Sequence, residues 1–165
     1  MKRVIVIGCP GSGKSTFSRK LRDITGLELY YLDMIFHRPD KTTVSREEFD
    51  ERLSEILNKD EWIIDGNYNR TMKMRMDRAD TVIFLDYPTD ICLSGYYERR
   101  GKAREDMPWL ETEDDAEFID YIKGFRENRR PDIIRLISDI GEKELKIFTS
   151  RDAAEAFLQK LKIKE

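Results

Sequence analysis

Residues Gly8 to Ser15 read GCPGSGKS and satisfy the spacing G-x-x-x-x-G-K-[ST]. That pattern dictates a local conformation. Successive backbone N–H groups must curl around anionic oxygens, and side chains at Gly8, Gly11 and Gly13 would block the approach or forbid the dihedrals. The flanks agree: Lys2 to Ile7 (KRVIVI) is β-branched and apolar like a strand buried in a parallel sheet, and the residues after the loop carry helical periodicity. Strand, glycine turn and helix in this order form a phosphate cradle with the positive end of the helix facing the anion. Gly8, Cys9, Pro10, Gly11, Ser12, Gly13, Lys14, Ser15 and Thr16 are therefore the expected binding residues for the phosphates of ATP. Lys14 would set its ammonium against the transferring phosphate, and Ser15 would offer its hydroxyl to Mg²⁺.

The rest of the chain has to support that loop with a single core. At 165 residues it can bury roughly 70% of its unfolded surface, which suits one domain spanning residues 1–165. Charged residues make up 38% of the chain, yet the net charge is only −3, so no general attraction to nucleic acid or anionic membrane is expected. Two cysteines are too few for a disulfide framework, and Cys9 lies inside the loop, so a reducing, cytoplasmic setting is expected. No stretch is long enough to span a bilayer, and no feature specifies an oligomeric state.

Phe17, Leu21 and Ile24 recur at helical spacing before Gly26, which predicts a helix from Lys14 to about Thr25. Leu27 to Leu32 reads as a second strand ending at Asp33, and Met34 to Thr43 as a loop. Ser45-x-x-Glu48 forms a capping box before Phe49, Leu53, Ile56 and Leu57. Trp62 to Ile64 reads as a third strand ending in Asp65-Gly66, and Thr81 to Leu85 as a fourth ending in Asp86. A helix from about Asp90 to Arg100 precedes a polar stretch, Gly101 to Asp115. Phe118, Ile122 and Phe125 mark a helix to about Arg130, and Pro131 opens another that Gly141 closes. Leu145 to Phe148 is the fifth strand, and Ser150 to Leu161 an amphipathic final helix. This alternation predicts an α/β three-layer sandwich, a five-stranded parallel sheet flanked by helices, with ligands at the strand carboxyl ends.

Three predicted strands end in aspartate at that edge, and each carboxylate has two readings. Asp65 either holds Mg²⁺ or caps the next segment. Asp33 either takes the proton of an acceptor hydroxyl, with metal ligation as a further option, or is a structural turn residue. Asp86 reads as a sheet-end or capping carboxylate. His37 either lines an acceptor pocket beside Phe36 and Arg38 or sits hydrogen-bonded at the surface. Arg126, Arg129 and Arg130 share a helical face, and Arg99, Arg100 and Arg104 cross the polar stretch. These either close over the triphosphate as an arginine-rich lid or form a solvated helix face. The acidic run Glu111 to Asp115 reads as a hinge that pairs with these arginines when nucleotide is absent.

Four passages resemble the adenylate-kinase-like branch of P-loop kinases: GCPGSGKS, WIIDGNYNRT (Trp62 to Thr71), ADTVIFLDYP (Ala79 to Pro88) and YYERRGKARE ahead of a lid-like region. Within that branch YLDMIFHRP together with WIIDGNY looks like small bacterial proteins labelled FlaR-related or DNA topology modulation proteins. The resemblance implies residues 33–60 as an acceptor-side segment and 99–130 as a lid-like segment. It implies Asp65 as the carboxylate that holds Mg²⁺ through water, Arg70 as a contact to the acceptor or transferring phosphate, and Arg99 as a lid-hinge arginine. Two departures are visible. Asn67-Tyr68-Asn69 replaces the family's Phe-Pro and adds a residue, and Gly95 stands where an arginine often stacks on adenine.

The expectation is an ATP- and Mg²⁺-dependent phosphotransferase acting on a small-molecule acceptor: a nucleotide, a nucleoside or another hydroxyl compound. Its expected catalytic residues are Lys14, Asp33, Arg70, Arg99, Arg126 and Arg130. Arg100 joins the nucleotide-binding set, and Ser15 and Asp65 hold the metal. The alternatives are a nucleotide-dependent regulator interacting with DNA and a nucleotide hydrolase without a separate acceptor.

Overall fold

Strands β1 (Arg3–Gly8), β2 (Leu29–Tyr31), β3 (Trp62–Asp65), β4 (Thr81–Leu85) and β5 (Glu144–Phe148) form one all-parallel sheet in the order β2-β3-β1-β4-β5. The computed structural model describes residues 1–164. Val4 to Ile7, Trp62 to Ile64 and Val82 to Phe84 are wholly buried, as central parallel strands covered on both faces must be. Register then decides what meets at the carboxyl edge. Val6 lies opposite Asp65, and Gly8 opposite Leu85, so the end of β3 and the start of the glycine loop stand side by side.

Helices α1 (Lys14–Thr25), α2 (Leu32–Phe36), α3 (Arg46–Leu57), α4 (Asn69–Arg78), α5 (Thr89–Arg99), α6 (Ala116–Asn128), α7 (Arg130–Ser138) and α8 (Arg151–Lys164) flank the sheet. Phe17 and Leu21 turn the α1 stripe inward, and Gly26, left-handed at φ 72°, caps that helix by donating its N–H to Arg22 O. The Ser45 hydroxyl accepts the Glu48 N–H at 3.1 Å as the capping box predicts. The return bond is not made, because the Glu48 carboxylate pairs with Arg38 and Arg52. Among the described residues no helix is long and apolar enough to cross a membrane.

The structure departs from the sequence reading in two places that matter for the site. The second strand stops at Tyr31, and Leu32–Phe36 coils into a short helix, which places Asp33 in a first helical turn where a carboxylate suits the positive helix end. The segment after Tyr68 is a helix that the sequence did not announce. Its inward face is Thr71, Met72, Arg75 and Met76, and a buried arginine among charged neighbours hides the apolar period.

Candidate active site

Ser12 N–H closes the glycine turn on Cys9 O at 3.0 Å, and Gly13, at φ 93°, hands the chain into α1. Gly11 is required twice over. Its φ is 83°, and a methyl group there would lie 2.0 Å from the Cys92 carbonyl on α5. Lys14 folds back across the turn and donates to Cys9 O at 3.5 Å, leaving its ammonium over the concave face. The Cys9 thiol is buried beneath the turn. Contact with Cys92 and burial both push its pKa up, so it stays protonated and unreactive.

The segment after β3 is bolted to this turn. Asn67 Oδ1 accepts the Gly8 N–H at 3.0 Å, and Asn67 Nδ2 donates to Gly8 O at 2.7 Å. Tyr68, in a left-handed conformation at φ 39°, donates its hydroxyl to Asp33 Oδ1 at 2.6 Å. Both placements depend on Arg75. Its guanidinium, wholly buried, donates to the carbonyls of Gly66 (2.9 Å), Asn67 and Tyr68 (3.1 Å), and to the Thr71 hydroxyl at 3.3 Å. Burial pulls its pKa down to about 9, so it remains a cation at neutral pH. It nails down the backbone on which Asn67 and Tyr68 stand.

Asp65 is buried at the end of β3, and its Oδ2 has no hydrogen-bond partner. Burial pushes its pKa up to about 7, while the Lys14 ammonium and the Ser15 hydroxyl pull the other way. A desolvated carboxylate with an orphaned oxygen beside a phosphate turn fits a divalent cation, which would compensate the burial. Ser15 and Asp65 are the side chains that would hold such a cation, directly or through water.

A cleft of about 750 Å³ runs over the turn. Pro10 to Thr16, Asp33, His37, Asp65, Tyr68 and Arg99 line it together, as do Arg104 and Asp106. Other candidates lie elsewhere. Arg70 reaches from α4 to α3 and makes a bidentate pair with Asp50 (3.1 and 2.7 Å) on the open surface. Arg126 and Arg130 both grip Asp86, at 3.2 and 2.8 Å, because a carboxylate only 7% exposed needs counter-charge. Asp86 is thus the hub of an ion-pair cluster rather than a cap. Arg100 pairs with Asp114, outside the cleft lining.

The polar stretch 101–115 is irregular and folds down over the cleft. Glu111 pairs with Arg104 at 3.2 Å and lies 3.9 Å from Arg99. Arg99 is also held over the rings of Tyr96 and Phe118 (5.5 and 5.8 Å), and burial lowers its pKa. Glu105 accepts the Tyr31 hydroxyl and pairs with Arg22 at 3.0 Å, and Trp109 meets the edge of His37 at 4.9 Å. Sequence reasoning missed Arg75, Asp106 and Trp109. Only the unmatched polar residue on an otherwise inward helical face could have signalled Arg75, and nothing local marks the other two.

No protein-family model matches the chain. It is similar to the adenylate kinase of Thermotoga maritima at 27% identity over 109 residues, 62% of this chain and 49% of that protein. It is similar to the adenylate kinase of Thermotoga petrophila at 29% identity over 80 residues, 48% of this chain and 36% of that one. The chain spans half or less of the length of the curated relatives it matches. Among solved structures, shikimate kinase from Acinetobacter baumannii in complex with shikimate aligns with a TM-score of 0.65 at 18% identity, over 98% of this chain and 90% of that one. Shikimate kinase from Aquifex aeolicus aligns at 0.60 and 17%, covering 98% and 94%. The parallel sheet, its strand order and the glycine turn define an α/β P-loop fold, and within that class the fold is the one adopted by these small kinases.

Proposed function

We propose that the protein is an ATP- and Mg²⁺-dependent phosphotransferase that moves the γ-phosphoryl group to a hydroxyl of a small molecule. One observation carries this reading: Asp33, fixed by the Tyr68 hydroxyl at 2.6 Å, faces the same cleft as Lys14 and Asp65. A phosphate acceptor, already ionised near neutrality, needs no base. A hydroxyl acceptor does, and a carboxylate at the acceptor side contributes about 10²- to 10⁴-fold by general base catalysis.

In this reading the loop amides and Lys14 bind the β and γ phosphates, and the N-terminus of α1 opposes their charge. Mg²⁺, when bound by Ser15 and Asp65, would neutralise phosphate charge. Asp33 accepts the acceptor's proton, while Tyr68 holds the carboxylate's orientation. Arg99 sits at the cleft wall, where its charge stabilises the transferring group. The DNA-interacting alternative would need Arg99, Arg100, Lys102 and Arg104 on duplex phosphates, whereas Glu111 and Asp114 lie against the three arginines and Lys102 lines the cleft.

Lys14→Ala tests the proposal. Turnover, read as ADP release with Mg²⁺ and a panel of acceptors, should fall about 10²- to 10³-fold, as for loss of one transition-state donor. The melting temperature should stay close to wild type, because Lys14 makes only one long hydrogen bond to the turn. Near-normal turnover in that variant removes the reading.

A further inference from the structure

Resting on the kinase reading, we infer that the nucleoside of ATP lies on the β4–β5 side of the cleft and that Arg151 stacks on its purine base. Arg151 thereby does from the start of α8 what no side chain at Gly95 can do from α5. The cleft has two arms, one on either side of the glycine turn, because that turn leaves the central strand of the order β2-β3-β1-β4-β5. Asp33, Asp65 and Tyr68 come from the ends of β2 and β3 and the segments after them, and line one arm. Tyr87, Gly95 and Arg151 come after β4 and β5, and line the other. With the γ phosphate between Lys14 and Asp33, the rest of the triphosphate leads away from the carboxylates, and the nucleoside ends in the second arm.

Gly95 shows what that arm offers a flat ring. A methyl group there would lie 2.0 Å from Gly11 O, so no side chain can grow from this position. The nearest side-chain atom is Arg151 Nη2, 3.0 Å from the same point. A guanidinium on α8 and bare backbone on α5 thus face one slot, which Ala154 and Leu158 extend with apolar surface. The Arg151 charge is felt by the Tyr87 hydroxyl in the same arm.

Arg151 is uncommitted, unlike the arginines near it. Asp86 holds Arg126 and Arg130, and Arg99 lies over the rings of Tyr96 and Phe118. Glu155, one turn along α8, pairs with Lys20 at 2.7 Å, and among the described residues no carboxylate lies within ion-pair distance of Arg151. Stability does not explain its place either. A cation in the first turn of α8 meets the positive end of the helix and is disfavoured there. A guanidinium is planar and weakly hydrated, and it lies well on the face of a purine.

Calorimetry with ATP, GTP, CTP and inorganic tripolyphosphate, each with Mg²⁺, tests the inference. Wild type should bind the two purine nucleotides more tightly than CTP. Arg151→Ala should weaken ATP and GTP about tenfold, narrow their advantage over CTP and leave tripolyphosphate affinity unchanged, because stacking is lost and the phosphate contacts remain. Its melting temperature should stay level or rise slightly. Arg151→Lys, which keeps the charge without the planar face, should recover only part of the loss. Unchanged ATP affinity in folded Arg151→Ala overturns the inference, as does a loss shared equally by tripolyphosphate, which would put the guanidinium on phosphate instead. Equal affinity of wild type for ATP and CTP overturns it as well, and that comparison decides alone should a variant not fold. Wild type that binds tripolyphosphate but not ATP leaves the phosphate turn standing and removes the base slot. Binding of neither removes the kinase reading, and this inference with it.

Discussion

The Asn67 carboxamide pairs with both backbone groups of Gly8, accepting its N–H at 3.0 Å and donating to its carbonyl at 2.7 Å. One side chain thereby extends the β1–β3 ladder beyond the last strand residue and ties the metal-side segment to the phosphate turn. The residue that departs from the adenylate-kinase-like Phe-Pro pattern thus has a structural task.

Asn67→Ala leaves two backbone groups of Gly8 without that partner and should destabilise the fold by about 1–3 kcal/mol. The turn loosens as well, so ATP affinity should fall along with the denaturation midpoint. Asn67→Asp should be no better, since a carboxylate cannot donate to Gly8 O. Denaturant titration together with ATP calorimetry reads both effects.

Gly95→Ala addresses the contact between α5 and the turn. A methyl group at Gly95 would lie 2.0 Å from Gly11 O, so the helix or the turn must move. Overpacking of this kind costs about 1–3 kcal/mol. Weaker ATP binding is expected in addition, because the displaced element is the phosphate cradle. The same approach explains why no arginine stands here to stack on a base: its Cβ has no room.

Arg75 supports the acceptor side from behind. Arg75→Met should cost on the order of 3 kcal/mol, since the carbonyls of Gly66, Asn67 and Tyr68 lose their donor in a buried setting. If the variant folds, its kcat should fall more than the ATP KM rises, because the Tyr68–Asp33 pair loses its seat. Thermal melts and steady-state kinetics separate the two consequences.

Acid stability has an identifiable contributor at the sheet's amino edge. Asp80 is disfavoured as an anion by partial burial, but the Thr81 hydroxyl and the N–H groups of Arg3 and Lys2 outweigh that and hold its pKa below the ordinary value. With the folded value below an unfolded value of about 3.9, the contribution is full above that pH and is lost as pH falls through the folded pKa. Asp80→Asn removes this dependence. Denaturation midpoints of wild type and variant should differ at neutral pH and converge as pH falls through about 4 and below.

Local pattern carried much of the architecture. GCPGSGKS, the apolar run before it and the Phe17-Leu21-Ile24 stripe are short-range signals, and the sheet assembled as their alternation required. Asp65 does end its strand, where a carboxylate has one edge to occupy, whereas Asp33 reaches the same cleft from the first turn of α2 rather than from a strand end. Asp86 ended a strand in the same way, yet its fate depended on Arg126 and Arg130, forty residues and more along the chain.

What the amino-acid order determined by itself was the local conformation: a glycine turn between a buried strand and a helix, whose backbone amides are donors suited to phosphate. What the folded molecule alone decided was which charges line the cleft over that turn. Arginines scattered from Arg70 to Arg130 look equivalent in sequence, but a charge acts only where burial and its partners leave it. Folding commits Arg70 to Asp50, Arg126 and Arg130 to Asp86, and Arg75 to the backbone, while Asp106 is carried into the cleft with an oxygen unclaimed.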